Sequence, residues 1–302
     1  MRGLFDIQVN GYAGIDFQRE PTQQQIRHAC DKLKEHGTDR ILATFITDKP
    51  GSFELKLKTF ESYRKADPVI KQMIVGYHLE GPYLSAEPGF CGAHPAELMK
   101  DPSIAEFKVW QDAAGGSIRL VTLAPERPGS FDFISELTCS GVRVSLGHTN
   151  ASEEQIDLSI KAGATLCTHL GNGCPALLHR HDNIIQRLVA RDELTACFIP
   201  DGIHLPPHVL KNLYKVKPAS KVIITTDAMA AAGAVPGKYS LGHLEMEVGE
   251  DHVVRMPGAK TFAGSALTLN KGVENSALWL GLSSAQAIDL ASKIPAHVLG
   301  YS

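Results

Sequence analysis

The segment GVRVSLGHTNASEEQIDLSIKAGATLCTHLGNG, residues 141–173, contains two short apolar runs that each lead to a histidine. Residues 142–146 precede His148, and residues 164–167 precede His169. Residues 152–163 between them begin with a Ser-x-x-Gln capping pattern, carry isoleucines at helical spacing and end in glycine, which predicts a helix. The segment therefore predicts a strand, a helix and a second strand, with an imidazole after each strand.

These two histidines have a functional and a structural interpretation. The carboxyl ends of parallel strands in α/β proteins converge on one face, and that face carries the chemistry. His148 and His169 on neighbouring strand ends would then share a metal ion. Alternatively, either one is a hydrogen-bonded loop histidine without a ligand.

The same alternation of strand and helix extends over most of the chain. Strands are predicted at 4–9, 40–47, 73–79, 118–124, 142–146, 164–167, 195–199 and 221–226. Helices are predicted at 22–36, 53–66, 104–113, 131–138, 152–163, 183–191 and 209–216. Eight alternating units predict an α/β fold, a (β/α)8 TIM barrel formed by one domain over residues 1–302. Residues 239–262 interrupt the alternation and predict a β-hairpin inserted before the last helix.

The composition narrows the class of protein. Apolar residues make up 43% of the 302 residues, which is enough for a substantial core, and the formal charge of -3 leaves no basic stripe for nucleic acid. No run is long enough to span a membrane. Six cysteines without a CxxC pair favour a reducing cytoplasm and argue against a thiolate zinc site. We expect a soluble cytoplasmic protein that does not bind nucleic acid or membranes.

Polar side chains gather at one end of the predicted strands. All of them map to the carboxyl-terminal face of the barrel, whereas a packing role would scatter them over both faces. They are Gln8, Asn10, Glu80, His148, His169, His204 and Asp227.

Three of these residues form a candidate metal site. Glu80, His148 and His169 offer one oxygen and two nitrogens and leave a fourth position open, as in catalytic zinc sites. Alternatively, Glu80 caps a helix or forms an ion pair in a loop. Asp227 follows an apolar strand, where a carboxylate is costly unless it is paired; it is a candidate proton acceptor and donor, or else a helix cap.

Several motifs together identify a family. The chain resembles the N-acetylglucosamine-6-phosphate deacetylases of the amidohydrolase superfamily over nearly its whole length. The motifs that carry the resemblance are DIQVNGYAG, HLEGPYL, GAHP, VTLAPE, SLGHTNAS, THLGNG, DGIHL, TTDAMAAAG and GSALT, in that order.

The resemblance implies a metal centre with one ion. Glu80, His148 and His169 are then the ligands and Asp227 is the general acid and base. Most members of the superfamily have His-x-His at the end of the first strand, which helps to bind a second metal. Gln8 and Asn10 occupy those positions here, so a single divalent ion is expected, Zn or Fe.

The resemblance also implies a substrate site for a small phosphorylated N-acetyl amino sugar. His94 is expected to polarise the acetyl carbonyl. Arg180 suits a phosphate, and the equivalent arginine of the family can reach in from a neighbouring subunit, which implies a homodimer. The substrate-binding residues are expected to be Ala93, Asn172, Gly173, Arg180, His204 and Ala263.

Some features depart from the family pattern. The usual flanking β-sandwich is expected to be absent or minimal, Asn172-Gly173-Cys174 replaces Asn-Ala-Met, and Pro95 follows His94. The expected reaction is removal of the acetyl group from N-acetylglucosamine 6-phosphate. Alternatives are another N-acyl sugar phosphate such as N-acetylgalactosamine 6-phosphate, a cyclic amide, or a sugar-phosphate binder without catalysis.

Overall fold

The computed structural model describes residues 3–256 and 263–301. Its strands are β1 (Leu4–Val9), β2 (Gly11–Tyr12), β3 (Ile15–Asp16), β4 (Thr38–Ile46), β5 (Ile74–Glu80), β6 (Ile118–Leu123), β7 (Arg143–Leu146), β8 (Leu166–Cys167), β9 (Thr195–Phe198), β10 (Val222–Ile224), β11 (Gly237–Leu241), β12 (Leu244–Val248) and β13 (Val254–Arg255). Its α-helices are α1 (Gln23–Glu35), α2 (Ser52–Ala66), α3 (Pro68–Met73), α4 (Ile104–Ala113), α5 (Ser130–Cys139), α6 (Glu153–Ala162), α7 (Ile184–Val189), α8 (Pro207–Val216), α9 (Leu269–Leu280), α10 (Ser284–Leu290) and α11 (Lys293–Val298). Short 3-10 helices lie at Ala96–Leu98 and Ala219–Lys221.

Eight parallel strands form the barrel, in the order β1-β4-β5-β6-β7-β8-β9-β10. The first and last strands meet just beyond their ends, where Val9 pairs with Ala228 and the N–H of Asn10 donates to the carbonyl of Ala228 over 2.7 Å. Below this point, Asp6 accepts hydrogen bonds of 2.6 Å from the hydroxyls of Thr225 and Thr226. The prediction of a (β/α)8 TIM barrel is confirmed.

Helix starts follow local capping chemistry. Complete capping boxes, in which the N-cap hydroxyl and a glutamine side chain exchange hydrogen bonds with the backbone, begin α1, α6 and α10. The helix predicted from Ser152 is therefore confirmed as α6, and it ends at Gly163 in the left-handed conformation.

The barrel interior changes character along its axis. Its lower part is apolar and is closed by Ala296 of α11 and by Leu299 directly after that helix. The apolar residues there are Phe5, Ile7, Leu42, Leu120, Leu166, Cys197 and Ile223. A larger cluster lies between the strands and the surrounding helices. The polar groups inside the upper barrel therefore lie between an apolar base and the carboxyl-terminal face.

An antiparallel insertion follows the eighth barrel strand. Strand β11 pairs with β12, and β12 pairs with β13, so the predicted hairpin is one part of a three-stranded sheet. Apolar residues of this sheet pack on Ile46 and Met229 at the barrel's upper face. Three helices follow it. Residues 257–262, the last part of the predicted hairpin, lie outside the described residues.

Two details of the barrel differ from the sequence-based prediction. Strand β8 has only two residues where four were predicted. A short helix, α3, precedes β5; Asp67 caps it and a proline occupies its first turn. Within the described residues, no helix is long and apolar enough to cross a membrane.

Candidate active site

Glu80, His148 and His169 converge at the carboxyl-terminal end of the barrel. Glu80 is the last residue of β5, and the histidines follow β7 and β8 after one intervening residue each. Oε1 of Glu80 lies 3.1 Å from Nε2 of His169 and 3.4 Å from Nε2 of His148. The two Nε2 atoms are 3.1 Å apart. All three side chains are buried, and they are the one group of potential metal ligands found among the described residues.

The shape of this group fits a metal ion. Ligands bound at about 2.0–2.1 Å in a tetrahedral zinc site are about 3.3–3.4 Å apart, close to the distances between these three donor atoms. Nδ1 of His148 lies 2.8 Å from the carbonyl oxygen of Phe90. Because a carbonyl only accepts, Nδ1 carries a proton, and Nε2 is the nitrogen that would bind a metal ion after losing its own proton.

The charge of Glu80 also suits this role. Burial opposes ionisation, but the hydrogen bonds and charges of His148 and His169 hold the pKa of Glu80 well below its usual value. Gln8 adds a further donor, since its side-chain amide lies 3.1 Å from Oε1 of Glu80. The first-strand glutamine therefore orients the carboxylate.

The turns that carry the site residues have unusual backbone conformations. His148, His169 and Asp227 have φ angles of 50°, 29° and 51°. A residue other than glycine pays about 1–3 kcal/mol to adopt a positive φ angle, and residues with such angles cluster at functional sites. The surrounding structure therefore holds three site residues in turns that they would not adopt alone.

Asp227 lies on the turn that follows β10 and is paired with the first strand. The side-chain amide of Asn10 donates to Oδ1 of Asp227 over 2.7 Å. Burial, together with the nearby charge of Glu80, raises the pKa of Asp227 to about 7. A carboxyl group with a pKa near neutrality can both accept and return a proton.

His94 is a buried neutral imidazole beside Glu80. The backbone N–H of Thr47 donates to Nδ1 of His94 over 3.4 Å, and the Thr47 hydroxyl lies 2.9 Å from the same nitrogen. These bonds assign the proton to Nε2, which lies 3.8 Å from Oε2 of Glu80. Burial, with the charge of His148 next in size, lowers the pKa of His94 to about 3. His94 therefore presents an N–H donor to the site.

Two loops with closely packed glycines flank His148 and His169. A Cβ on Gly92 would lie 2.8 Å from Cε1 of His148, and one on Gly173 would lie 3.0 Å from Cε1 of His169. The side chain of Asn172 donates to the carbonyl of His169 over 3.3 Å. The loops bearing His94 and Asn172 thus reach the predicted metal site.

The remaining predicted substrate residues are distributed around the barrel mouth. Ala93 and Ala263 belong to the apolar cluster beneath the insertion. His204 is largely buried on the loop after β9, and its charge acts on Asp227. Arg180 is exposed, and no hydrogen bond or ion pair joins it to the part of the chain that the structure describes. The structure therefore shows no bond between Arg180 and the other site residues among the described residues.

Sequence reasoning did not find Asp201. Its Oδ1 accepts the backbone N–H groups of Ile203 and His204 at 2.8 Å, and its Oδ2 lies 2.6 Å from Nδ1 of His204. The available signal was the Asp-x-x-His spacing in DGIH after a buried strand. Thr47 was also missed, because 47 residues separate it from His94.

Comparison with known proteins places the chain among hydrolases of amino sugars. It is 33% identical to an N-acetylglucosamine-6-phosphate deacetylase of Bacillus subtilis, across 99% of this chain and 74% of that protein. The Rattus norvegicus enzyme of the same name is 32% identical, with the same two coverages. No family model matches the chain.

A solved structure extends the comparison to three dimensions. An N-acetyl-D-glucosamine-6-phosphate deacetylase mutant from Mycobacterium smegmatis, in complex with N-acetyl-D-glucosamine-6-phosphate, superposes with a TM-score of 0.89 at 32% identity, covering 99% of this chain and 77% of that one. The likeness extends over nearly all of this chain, and the sequence-based resemblance is confirmed. The chain belongs to the N-acetylglucosamine-6-phosphate deacetylase family.

Proposed function

We propose that this enzyme hydrolyses the acetamide of N-acetylglucosamine 6-phosphate to glucosamine 6-phosphate and acetate. The observation that carries the proposal is the convergence of Glu80, His148 and His169 within 3.4 Å of one another, with Asp227 held nearby. Relatives in the family bear the name of this activity. One relative was solved with this sugar phosphate bound.

Glu80, His148 and His169 would hold one divalent ion, Zn or Fe. Such an ion polarises a carbonyl oxygen and lowers the pKa of water. The nitrogen and oxygen donors do not distinguish the two metals. Gln8 donates a hydrogen bond to Glu80, and Asn10 donates one to Asp227. Because both first-strand side chains serve as hydrogen-bond donors, they support a centre with one metal ion.

Asp227 acts as general base and then as general acid. Its carboxylate takes a proton from the attacking water as the C–O bond forms at the acetyl carbon. It then passes that proton to the sugar nitrogen as the C–N bond breaks, so that acetate and the amine leave. Burial raises the pKa of Asp227 towards neutrality, and a divalent ion nearby would favour the charged form that accepts the first proton.

His94 stabilises the developing negative charge on the acetyl oxygen. Its Nε2–H faces the site, and the lowered pKa keeps the ring neutral, so it donates a hydrogen bond and keeps its proton. Donors placed where charge develops contribute strongly to such reactions.

Asn172, Gly173 and His204 bind the sugar and its phosphate, and Ala93 and Ala263 border it. Arg180 completes the phosphate site of a neighbouring subunit. Its exposure, without a partner in residues 3–256 or 263–301, supports that role and a homodimer. The six free cysteines suit a reducing compartment, and we place the reaction in the cytoplasm.

Acetate release from N-acetylglucosamine 6-phosphate, measured before and after removal of metal with a chelator, tests the reaction. Activity should disappear with the metal and return on addition of Zn²⁺ or Fe²⁺. Asp227→Asn should lower kcat by at least about 100-fold. Turnover equal to wild type in that variant would contradict the mechanism.

A second candidate substrate is N-acetylgalactosamine 6-phosphate. The change to Gly173-Cys174 beside the histidine ligands motivates it. Comparing kcat/KM for the two epimers decides which sugar is preferred.

A further inference from the structure

A chain of buried side chains crosses the inside of the barrel below the three metal-site residues. It takes one residue from each of five consecutive strands or their immediate ends. These residues, here called the polar layer, are Thr44, His78, Thr122, Ser145 and Thr168. All five are buried.

Hydrogen bonds join the polar layer without a break. Nδ1 of His78 lies 3.3 Å from Oγ1 of Thr44, and Nε2 of His78 lies 2.8 Å from Oγ1 of Thr122. Oγ1 of Thr168 is 2.7 Å from the Thr122 hydroxyl and 2.6 Å from the Ser145 hydroxyl. These bonds tie β4 through β8 together inside the barrel.

The first strand joins the same layer through its backbone. The N–H of Val9 donates to Oγ1 of Thr44 over 3.0 Å. Val9 lies between Gln8 and Asn10, whose side chains bind Glu80 and Asp227. The layer therefore connects to both amides of the upper site.

The polar layer touches the chain next to each proposed metal ligand. His78 is two residues before Glu80 on β5, so both side chains point into the barrel, one above the other. Thr168 directly precedes His169. A Cβ on Gly147, the residue before His148, would lie 2.9 Å from side-chain atoms of both Thr122 and Thr168.

Space filling alone does not explain this layer. The barrel below it is filled by apolar residues such as Leu42, Leu120 and Leu166. Buried polar groups are costly unless they are bonded, so their net contribution to stability is small compared with apolar packing. What a bonded network adds is a defined geometry. His148 and His169 need such support, because their positive φ angles persist only where the surroundings hold them.

We propose that the polar layer positions the metal ligands, with His78 and Thr122 as its central positioning residues. The inference rests on the proposed metal-dependent function. Loss of a bond in the layer loosens the turns that carry His148 and His169, and this weakens metal binding before it affects the chemistry.

Metal binding by the stripped protein tests the proposal directly. Zn²⁺ is titrated into wild type, Thr122→Val and His78→Leu in competition with a chelator, and the absorption spectrum of bound Co²⁺ reports the coordination geometry. Thr122→Val keeps the side-chain shape and removes only the hydroxyl. We expect the Kd for Zn²⁺ to rise roughly tenfold in both variants, as for residues that orient metal ligands, with an altered Co²⁺ spectrum.

Thr225→Val is the matched control. Thr225 is equally buried and loses a 2.6 Å hydrogen bond to Asp6, but it is not part of the polar layer. It follows β10, which carries none of Glu80, His148 and His169. We expect its Tm to fall while its Kd for Zn²⁺ stays within about twofold of wild type.

Wild-type Kd and spectrum in a folded Thr122→Val or His78→Leu protein would overturn the inference, whatever happens to Tm. Both variants break the hydrogen bond between His78 and Thr122, so one folded variant is enough to decide. If wild type itself binds neither ion, the proposed function fails, and that outcome is distinct from equal binding by wild type and variants.

Discussion

The side-chain amide of Asn10 donates a 2.7 Å hydrogen bond to Oδ1 of Asp227, across the junction where the first and last barrel strands meet. This bond favours the charged carboxylate and therefore opposes the rise in pKa caused by burial and by Glu80. The first barrel strand thus tunes the proposed proton carrier.

Removing this bond should shift the pH dependence of the reaction. In Asn10→Ala the pKa of Asp227 rises, because the charged form loses its donor. The acidic limb of kcat/KM should move to higher pH by up to about one unit. Above pH 9 the kcat/KM of the variant should differ less from that of wild type. The measurement is a pH profile of acetate release. An unchanged acidic limb would contradict a role for Asp227 as the base.

The metal-free protein should lose stability as the pH rises through neutrality. Burial raises the pKa of Asp227 from 3.8 to about 7 in the folded state. A raised folded pKa gives stability that is complete below the unfolded pKa and is lost as the pH rises through the folded value. We expect the Tm of chelated protein to fall by several degrees between pH 5 and pH 8. Asp227→Asn, which cannot ionise, should show a smaller fall, and an equal fall would exclude Asp227 as the cause.

Gly92 should be intolerant of a side chain. Its φ is 59°, and a Cβ would lie 2.8 Å from Cε1 of His148, closer than carbon atoms pack. Gly92→Ala should lower the free energy of unfolding by about 1–3 kcal/mol and weaken Zn²⁺ binding. Gly129→Ala is the control, because Gly129 also has a positive φ, 81°, but has open space at its Cβ. Equal effects of both variants on Zn²⁺ binding would refute the contact with His148.

Asp201 should affect binding of the phosphate group more than catalysis. Burial opposes a charge on His204, but the hydrogen bond and charge of Asp201 outweigh it and raise the pKa of His204. Asp201→Asn keeps an acceptor for the backbone N–H groups and removes the charge. KM for the phosphorylated sugar should rise about tenfold with kcat nearly unchanged, since a charge-assisted bond is lost. Activity on N-acetylglucosamine without phosphate serves as the control, and an equal rise in its KM would contradict the role.

Much of the architecture could be read from local sequence signals. Apolar runs of strand length alternate with capped helices such as α6, and this alternation predicted the barrel that the structure contains. The placement of Glu80, His148 and His169 also followed, because residues after parallel strands must share one face. The role of His94 came only from the family motif, since no periodicity marks a loop histidine.

Other features depend on contacts between distant segments. The proton on Nε2 of His94 is assigned by Thr47, and the proton on Nδ1 of His148 by the carbonyl of Phe90. Neither partner lies near its histidine in the sequence. The positive φ angles of His148 and His169 could not be predicted from the sequence, because neither position is a glycine.

Hydrophobic periodicity and capping are local properties, and they were sufficient to identify the strands, the helices and the face on which the chemistry lies. The distances between the donor atoms, the raised pKa of Asp227 and the hydrogen-bonded layer under the proposed metal site arise only when the barrel closes. Closure buries charges beside one another and joins four hydroxyls and the His78 imidazole inside the barrel. The energies of these interactions depend on separation in space.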